Sequence, residues 1–124
     1  MKIFYLGFLL FLFPDAKAEW TEIGENKLGT KYLDFIRIRK FEGYTFYWEM
    51  LSFYKATNKG FMSVKSNYKL DCIKFRYKKI SSLFYEKPMA KGKPMFYKNY
   101  NISNWKYPLS NSPKAFLKKK ICEY

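Results

Sequence analysis

The sequence predicts an α+β domain: an antiparallel β-sheet of about five to six strands, packed by a short C-terminal helix and held by one disulfide. Three observations carry this. Alternation of polar and apolar residues recurs through the middle of the chain and is clearest in SVKSNYKLD, residues 63–71. Apolar spacing becomes helical only after Ser112-Pro113. The chain has two cysteines, Cys72 at the end of the clearest strand and Cys122 at the end of the helix.

The N-terminus sets the compartment. Lys2 supplies a positive start, Ile3 to Phe13 run apolar without interruption, and Ala16-Lys17-Ala18 forms a small-x-small cleavage site before Glu19. This is the pattern of a secretory signal peptide over residues 1–18. The apolar run is about eleven residues long, too short for the twenty or so that a membrane-crossing helix needs. No cysteine stands at the cleavage site, so no bacterial lipid anchor is expected, and no other segment is apolar enough to span a bilayer. Residues 19–124 then form one small domain, exported to the periplasm, the cell surface or the medium.

EWTEIGEN opens the domain as a short strand, with Trp20 and Glu22 on one face and Thr21 and Ile23 on the other, closed by a turn from Gly24 to Gly29. TKYLDFIRIRKFEGYTFYWEMLSFY reads as two β segments around Glu42-Gly43, a tight-turn pair in which glycine takes a positive φ. The second segment places Tyr44, Phe46, Trp48 and Met50 opposite Thr45, Tyr47, Glu49 and Leu51. Bulk on both faces predicts a central strand. KATNKG is a polar loop.

In the next strand Met62, Val64, Tyr68, Leu70 and Cys72 share a core-facing side, and Ser63, Lys65, Asn67, Lys69 and Asp71 share the other. Beyond it, Ile73, Phe75 and Tyr77 alternate with Lys74, Arg76 and Lys78. The phase then breaks at Ile80, Leu83 and Phe84, which predicts a β-bulge near Lys78 to Ser82. YEKPMAKGKP is a loop, MFYKNY a last strand, and NISNWKYPLSN irregular coil around Trp105. Ser112 suits a helix N-cap and Pro113 the first helical position, with Phe116, Leu117, Ile121 and Cys122 as the apolar side and Lys118, Lys119 and Lys120 in the last turn, where they complement the helix dipole. The helix is too short for a membrane-surface anchor and is expected to dock on the sheet.

Two cysteines in an exported chain, one on a core-facing strand and one on a helix that needs tethering, predict a Cys72–Cys122 disulfide. No C-x-x-C pair suggests redox chemistry, and a zinc site would need more ligands than a chain without histidine offers. No metal or other cofactor is expected.

The full chain has 24 Lys+Arg against 10 Asp+Glu; losing Lys2, Lys17 and Asp15 with the leader leaves a net +13. Such a charge favours anionic partners. The candidate face is Lys65, Lys69, Lys74, Arg76 and Lys78. Of the 28 Phe, Trp and Tyr residues, 23 lie outside the leader, enough for strands with an aromatic face. Lysine interleaved with Tyr and Phe, as in KFRYKK, also fits a base-stacking platform, but an exported protein seldom meets that ligand and no nucleic acid is expected as partner.

GFMSVKSNYKLDC (60–72), YKKISSLFYEKPMAKGKPM (77–95), Trp105 and a terminal KKKIC resemble the surface-adhesin protein E-like family of bacterial exported domains. The family's pattern is a glycine before an aromatic-x-Ser strand, an Asp-Cys pair, a basic strand leading to Tyr-x-x-Pro-Met, a glycine turn, a tryptophan and a C-terminal cysteine. W-x-x-I-G near the start, Asp34 with Ile36, and Trp48 match it too. The resemblance covers nearly the whole of 19–124 and implies an antiparallel sheet with a C-terminal helix and a strand-to-helix disulfide. It also implies an exported, non-enzymatic binding module, since the family is named for a lipid-anchored, dimeric surface protein that binds host extracellular-matrix and serum proteins. This chain departs from it in lacking the lipobox cysteine and in carrying Ser110-Asn111-Ser112-Pro113 where many relatives have a Pro-Gly-Ser cap. No binding residue carries over, and the residues leave a dimer open. The charge supports an alternative, a periplasmic basic protein held electrostatically to lipopolysaccharide, phospholipid or sulfated glycan in the envelope.

An enzyme is not expected. There is no histidine to act as acid or base near neutral pH, and cysteines in a disulfide cannot be nucleophiles. Glu22, Asp34, Glu42, Glu49 and Asp71 are available carboxylates, but no spacing makes a dyad of any two, and Asp71 reads as structural or solvated.

Overall fold

A computed structural model describes residues 18–101 and 104–124; all of the leader except Ala18 lies outside the described residues. The strands are β1 (Thr21–Glu25), β2 (Gly29–Leu33), β3 (Arg39–Phe41), β4 (Tyr44–Phe53), β5 (Ser63–Asp71), β6 (Arg76–Tyr85) and β7 (Pro94–Asn99). A 3-10 turn, Pro88–Ala90, precedes β7, and the one α-helix among the described residues, α1 (Pro113–Cys122), closes the chain. All ladders are antiparallel, in the order β1-β2-β4-β5-β6-β7, with β3 also paired to β4. The α+β class holds; among the described residues the strands number seven, against about five to six expected. The segment expected as one strand before Glu42 is split, because Asp34–Ile38 loops out and leaves β2 and β3 to pair with successive stretches of β4.

Local chemistry accounts for several joints. Glu42 and Gly43 have φ of 51° and 83°, both positive as the two-residue β3–β4 turn demands. Gly29 lies inside β2 rather than in the expected turn. A Cβ there would meet the Ser52 carbonyl oxygen at 2.1 Å, so only glycine allows this approach of β2 to β4. Along β5–β6 the partner of Asn67 is Ser81 and that of Tyr68 is Lys79, which leaves Ile80 unpaired as the bulge. The freed Ile80 carbonyl accepts the Tyr100 N–H at 2.9 Å.

The alternation expected to continue through Ile73 is interrupted instead by a turn over residues 72–75. Asp71 makes it: its Oδ1 accepts the N–H groups of Ile73 and Lys74, each at 3.1 Å, and its Oδ2 accepts Arg76 Nε at 3.0 Å. Ile73 is thereby 90% exposed.

β4 is central, as its two bulky faces predict. Its register with β5 gives the sheet a helix face, where Thr45 opposes Leu70 and Tyr47 opposes Tyr68, and an open face, where Phe46 opposes Lys69 and Trp48 opposes Asn67. On the helix face Leu33, Tyr47, Leu70, Tyr77 and Ile121 form the buried core, with Cys72 and Cys122 packed against it. The Cys72–Cys122 disulfide joins the end of β5 to the end of α1, with a Cα–Cα distance of 5.9 Å.

Ser112 caps α1, its Oγ accepting the Ala115 N–H at 3.1 Å, and Pro113 occupies the first turn. The expected apolar side of this helix holds at Leu117, Ile121 and Cys122, which pack on the core, and needs correction at Phe116 and Lys118. Ala115, Lys118 and Ile121, at three-residue spacing, are the buried positions, while Phe116 is 67% exposed. The physical reason is the cavity they fill. Lys118 Nζ lies 4.0 Å from the Tyr77 ring centre, 5.2 Å from that of Tyr47 and 5.6 Å from that of Tyr68, and donates to Tyr47 Oη at 2.6 Å. Three ring faces and one phenolic oxygen take the place of water around the ammonium.

Candidate functional site

The open face carries the basic residues. Lys65 and Lys69 project from β5 four residues apart, and Lys69 is the register partner of Lys78 on β6, just as Asp71 is of Arg76. Partners across an antiparallel ladder share a face, so four of the five basic candidates converge. Lys74 does not join them; it is exposed in the turn after β5, where its main-chain N–H serves Asp71.

Aromatic rings separate and brace these cations. Lys106 is fixed to β6 by mutual main-chain bonds with Tyr77 at 2.8 and 2.9 Å. This places Trp105 among the cations: Arg76 Cζ lies 4.2 Å, Lys78 Nζ 4.7 Å and Lys69 Nζ 6.0 Å from its ring centre. Lys69 also sits 4.0 Å from the centre of the Tyr44 ring, which stacks on Trp105 at 5.9 Å. Lys65 has a second pair of rings, Trp48 at 5.4 Å and Tyr85 at 5.8 Å.

Carboxylates are scarce around this array. The ion pairs among the described residues are Arg76 with Asp71 at 3.0 Å and Arg37 with Asp34 at 3.6 Å. The Lys74 N–H above all, with the Arg76 side chain and the Ile73 N–H, holds the Asp71 carboxyl below the usual carboxylate range. Asp34 is fully buried and its Oδ2 has no hydrogen bond, only the Arg37 guanidinium nearby. Burial, and then the Arg37 charge, pulls Lys65 below the ordinary lysine value. Lys69 and Lys78 have no hydrogen bond or ion pair through their side chains among the described residues. The arrangement can attract and hold an anion; it supplies no carboxylate pair set for acid–base work.

A second concavity lies on the helix face. Between α1 and the β1–β2 edge runs a groove of about 1180 Å³ whose walls include Ile23, Phe35, Glu49, Phe116, Leu117 and Tyr124. The exposed Phe116 and Tyr124 rings stand at its rim. This groove is not legible from residue spacing, because Phe116 has the spacing of a docking residue and only the packing of Lys118 turns it outward.

No helix among the described residues is long and apolar enough to cross a membrane. Comparison with protein families finds that the model described as Surface-adhesin protein E matches residues 20–123, a span that takes in the whole sheet, the helix and both cysteines. No curated protein matches the chain.

Proposed function

The chain belongs to the surface-adhesin protein E family, and from that membership we propose an exported, non-enzymatic binding module that engages another protein at the bacterial surface. The observation that carries this reading is the match over residues 20–123. The family's description supports a surface location and a host partner, of which extracellular-matrix or serum proteins are the class to test. The groove beside α1 suits such a partner: apolar Ile23, Phe35 and Phe116 are ringed by charged Lys31, Lys114 and Lys120. The test is capture by immobilised matrix and serum proteins, against a basic protein of matched charge. Capture above that control is expected, with loss on Phe116→Glu, a change at an exposed side chain that leaves the fold intact. Capture no better than the control refutes the reading.

A second reading is favoured by a specific observation, the convergence of Lys65, Lys69, Arg76 and Lys78 on one sheet face. It is electrostatic attachment to an anionic surface, and such binding weakens steeply as salt is added.

A further inference from the structure

The pairing of Lys69 with Lys78 runs against stability. Like charges directly opposite on neighbouring strands repel, and each lysine here lacks a carboxylate partner among the described residues. The rings around them restrain the ammonium groups without neutralising them, so side-chain entropy is spent before any ligand arrives. Each ammonium keeps three donors, and none is used by a hydrogen bond among the described residues. Arg76 adds a planar donor set beside them, partly committed to Asp71 and stacked on Trp105. Lys65 repeats the motif on Trp48, about 13 Å further along the same strand at ordinary strand rise.

We propose that Lys69, Lys78 and Arg76, braced on Trp105, form a subsite for a sulfate ester of a linear sulfated glycan, with Lys65 on Trp48 receiving a second ester of the same chain. The proposal rests on the second reading above, that this face binds anions, and adds which residues do so and what they bind. A linear glycan is the better fit than a bilayer because the cations lie in a row along β5 and β6. Lys65, Lys69, Arg76 and Lys78 are also all half-buried against rings, Lys65 and Lys69 against two each and Arg76 and Lys78 against Trp105. A chain of esters can follow such a row, whereas a plane of headgroups meets protruding, exposed groups first.

The test is calorimetric titration of the full exported chain with a defined heparin-derived oligosaccharide at low and high salt. It compares Lys69→Gln/Lys78→Gln with Lys27→Gln/Lys119→Gln, which removes the same charge from exposed positions in the β1–β2 turn and on α1, outside both this array and the groove lining. The first pair is expected to weaken binding at least about tenfold and the second about twofold or less, as contact differs from long-range attraction. Equal weakening by the two pairs overturns the subsite and leaves electrostatic attachment standing. Wild-type binding that is absent, or indifferent to salt, overturns attachment itself. Anionic phospholipid vesicles form the other arm: tighter binding to them than to the oligosaccharide, lost in Lys69→Gln/Lys78→Gln, assigns the face to membrane and overturns the glycan. Relief of the lysine repulsion predicts that this variant melts no lower than wild type; a lower melting temperature makes the two lysines structural and refutes the proposal.

Discussion

Replacing Lys118 with methionine should remove most of one distinctive response of this domain to pH. The fold holds Lys118 at 2% exposure. Burial lowers its affinity for a proton from the ordinary 10.5 to about 8, with Lys114 and Lys31 adding to the effect and Glu49 opposing it. At about 1.4 kcal/mol for each pH unit, the gap makes the ammonium about 3 kcal/mol less favourable in the folded chain than in the unfolded one. Below pH 8 both states carry the proton and this cost is present in full. Between about 8 and 10.5 the folded state releases it first, the unfolded chain binds more protons, and stability rises with pH. From pH 7 to 9.5 the gain is about 2 kcal/mol. Higher still, Tyr47 and Tyr68 act in the opposite sense. Their hydroxyls are pushed up, chiefly by burial, so the unfolded chain ionises first and stability falls. Urea unfolding of wild type and Lys118→Met at pH 7 and 9.5 isolates the lysine, because the surface charges are common to both. The wild-type midpoint should gain about 1 M urea on the variant over that interval. Parallel midpoints would show that water reaches Lys118 and that the tyrosine enclosure does not desolvate it. The sign of the difference at pH 7 alone decides nothing, since methionine also forfeits the bond to Tyr47.

Two further outcomes concern the frame around the site. Cys122→Ser, or reduction, should cost about 4 kcal/mol for a bridge spanning a sequence separation of 50, read as a lower urea midpoint. A Cys72→Ser/Cys122→Ser chain as stable as wild type would deny the bridge that role. Asp71→Asn should lower the melting temperature at pH 7 by roughly 5 °C or more through the β5–β6 turn. Because the Asp71 carboxyl is held below its ordinary range, its contribution is present above about pH 4 and fades as pH falls further, so the two melting curves should converge in acid. A difference that persists there would trace the effect to turn geometry instead of charge.

What the sequence made legible were features decided by near neighbours. Glu42-Gly43 specified its turn, Ser112-Pro113 began the helix, the phase break located the bulge at Ile80, and a chain with two cysteines left each with one partner. The basic face was half legible. Alternation put Lys65 and Lys69 together, but only strand pairing brings Lys78 and Arg76 beside them, and Lys74 is lost to a turn signalled by Asp71 alone. Trp105 could not be placed, because a bridge to Tyr77 from across the chain positions it. Lys118 was the clearest misreading. A lysine in the last turn of a helix suits the dipole and the solvent. Its burial depends on Tyr47, Tyr68 and Tyr77, which come from three different strands.

Every ladder in the sheet joins strands that are consecutive in the chain, apart from β2 stepping past the short β3 to reach β4. A meander of this kind can assemble hairpin by hairpin from its N-terminal strand onward, with few distant contacts to wait for. The helix and its cysteine arrive after the last strand. Cys72 precedes its partner by 50 residues, so oxidation of the pair is expected to come last. In a compartment short of oxidant, chains should accumulate with the sheet made and the helix untethered, the tyrosine enclosure open and the ammonium of Lys118 back in water.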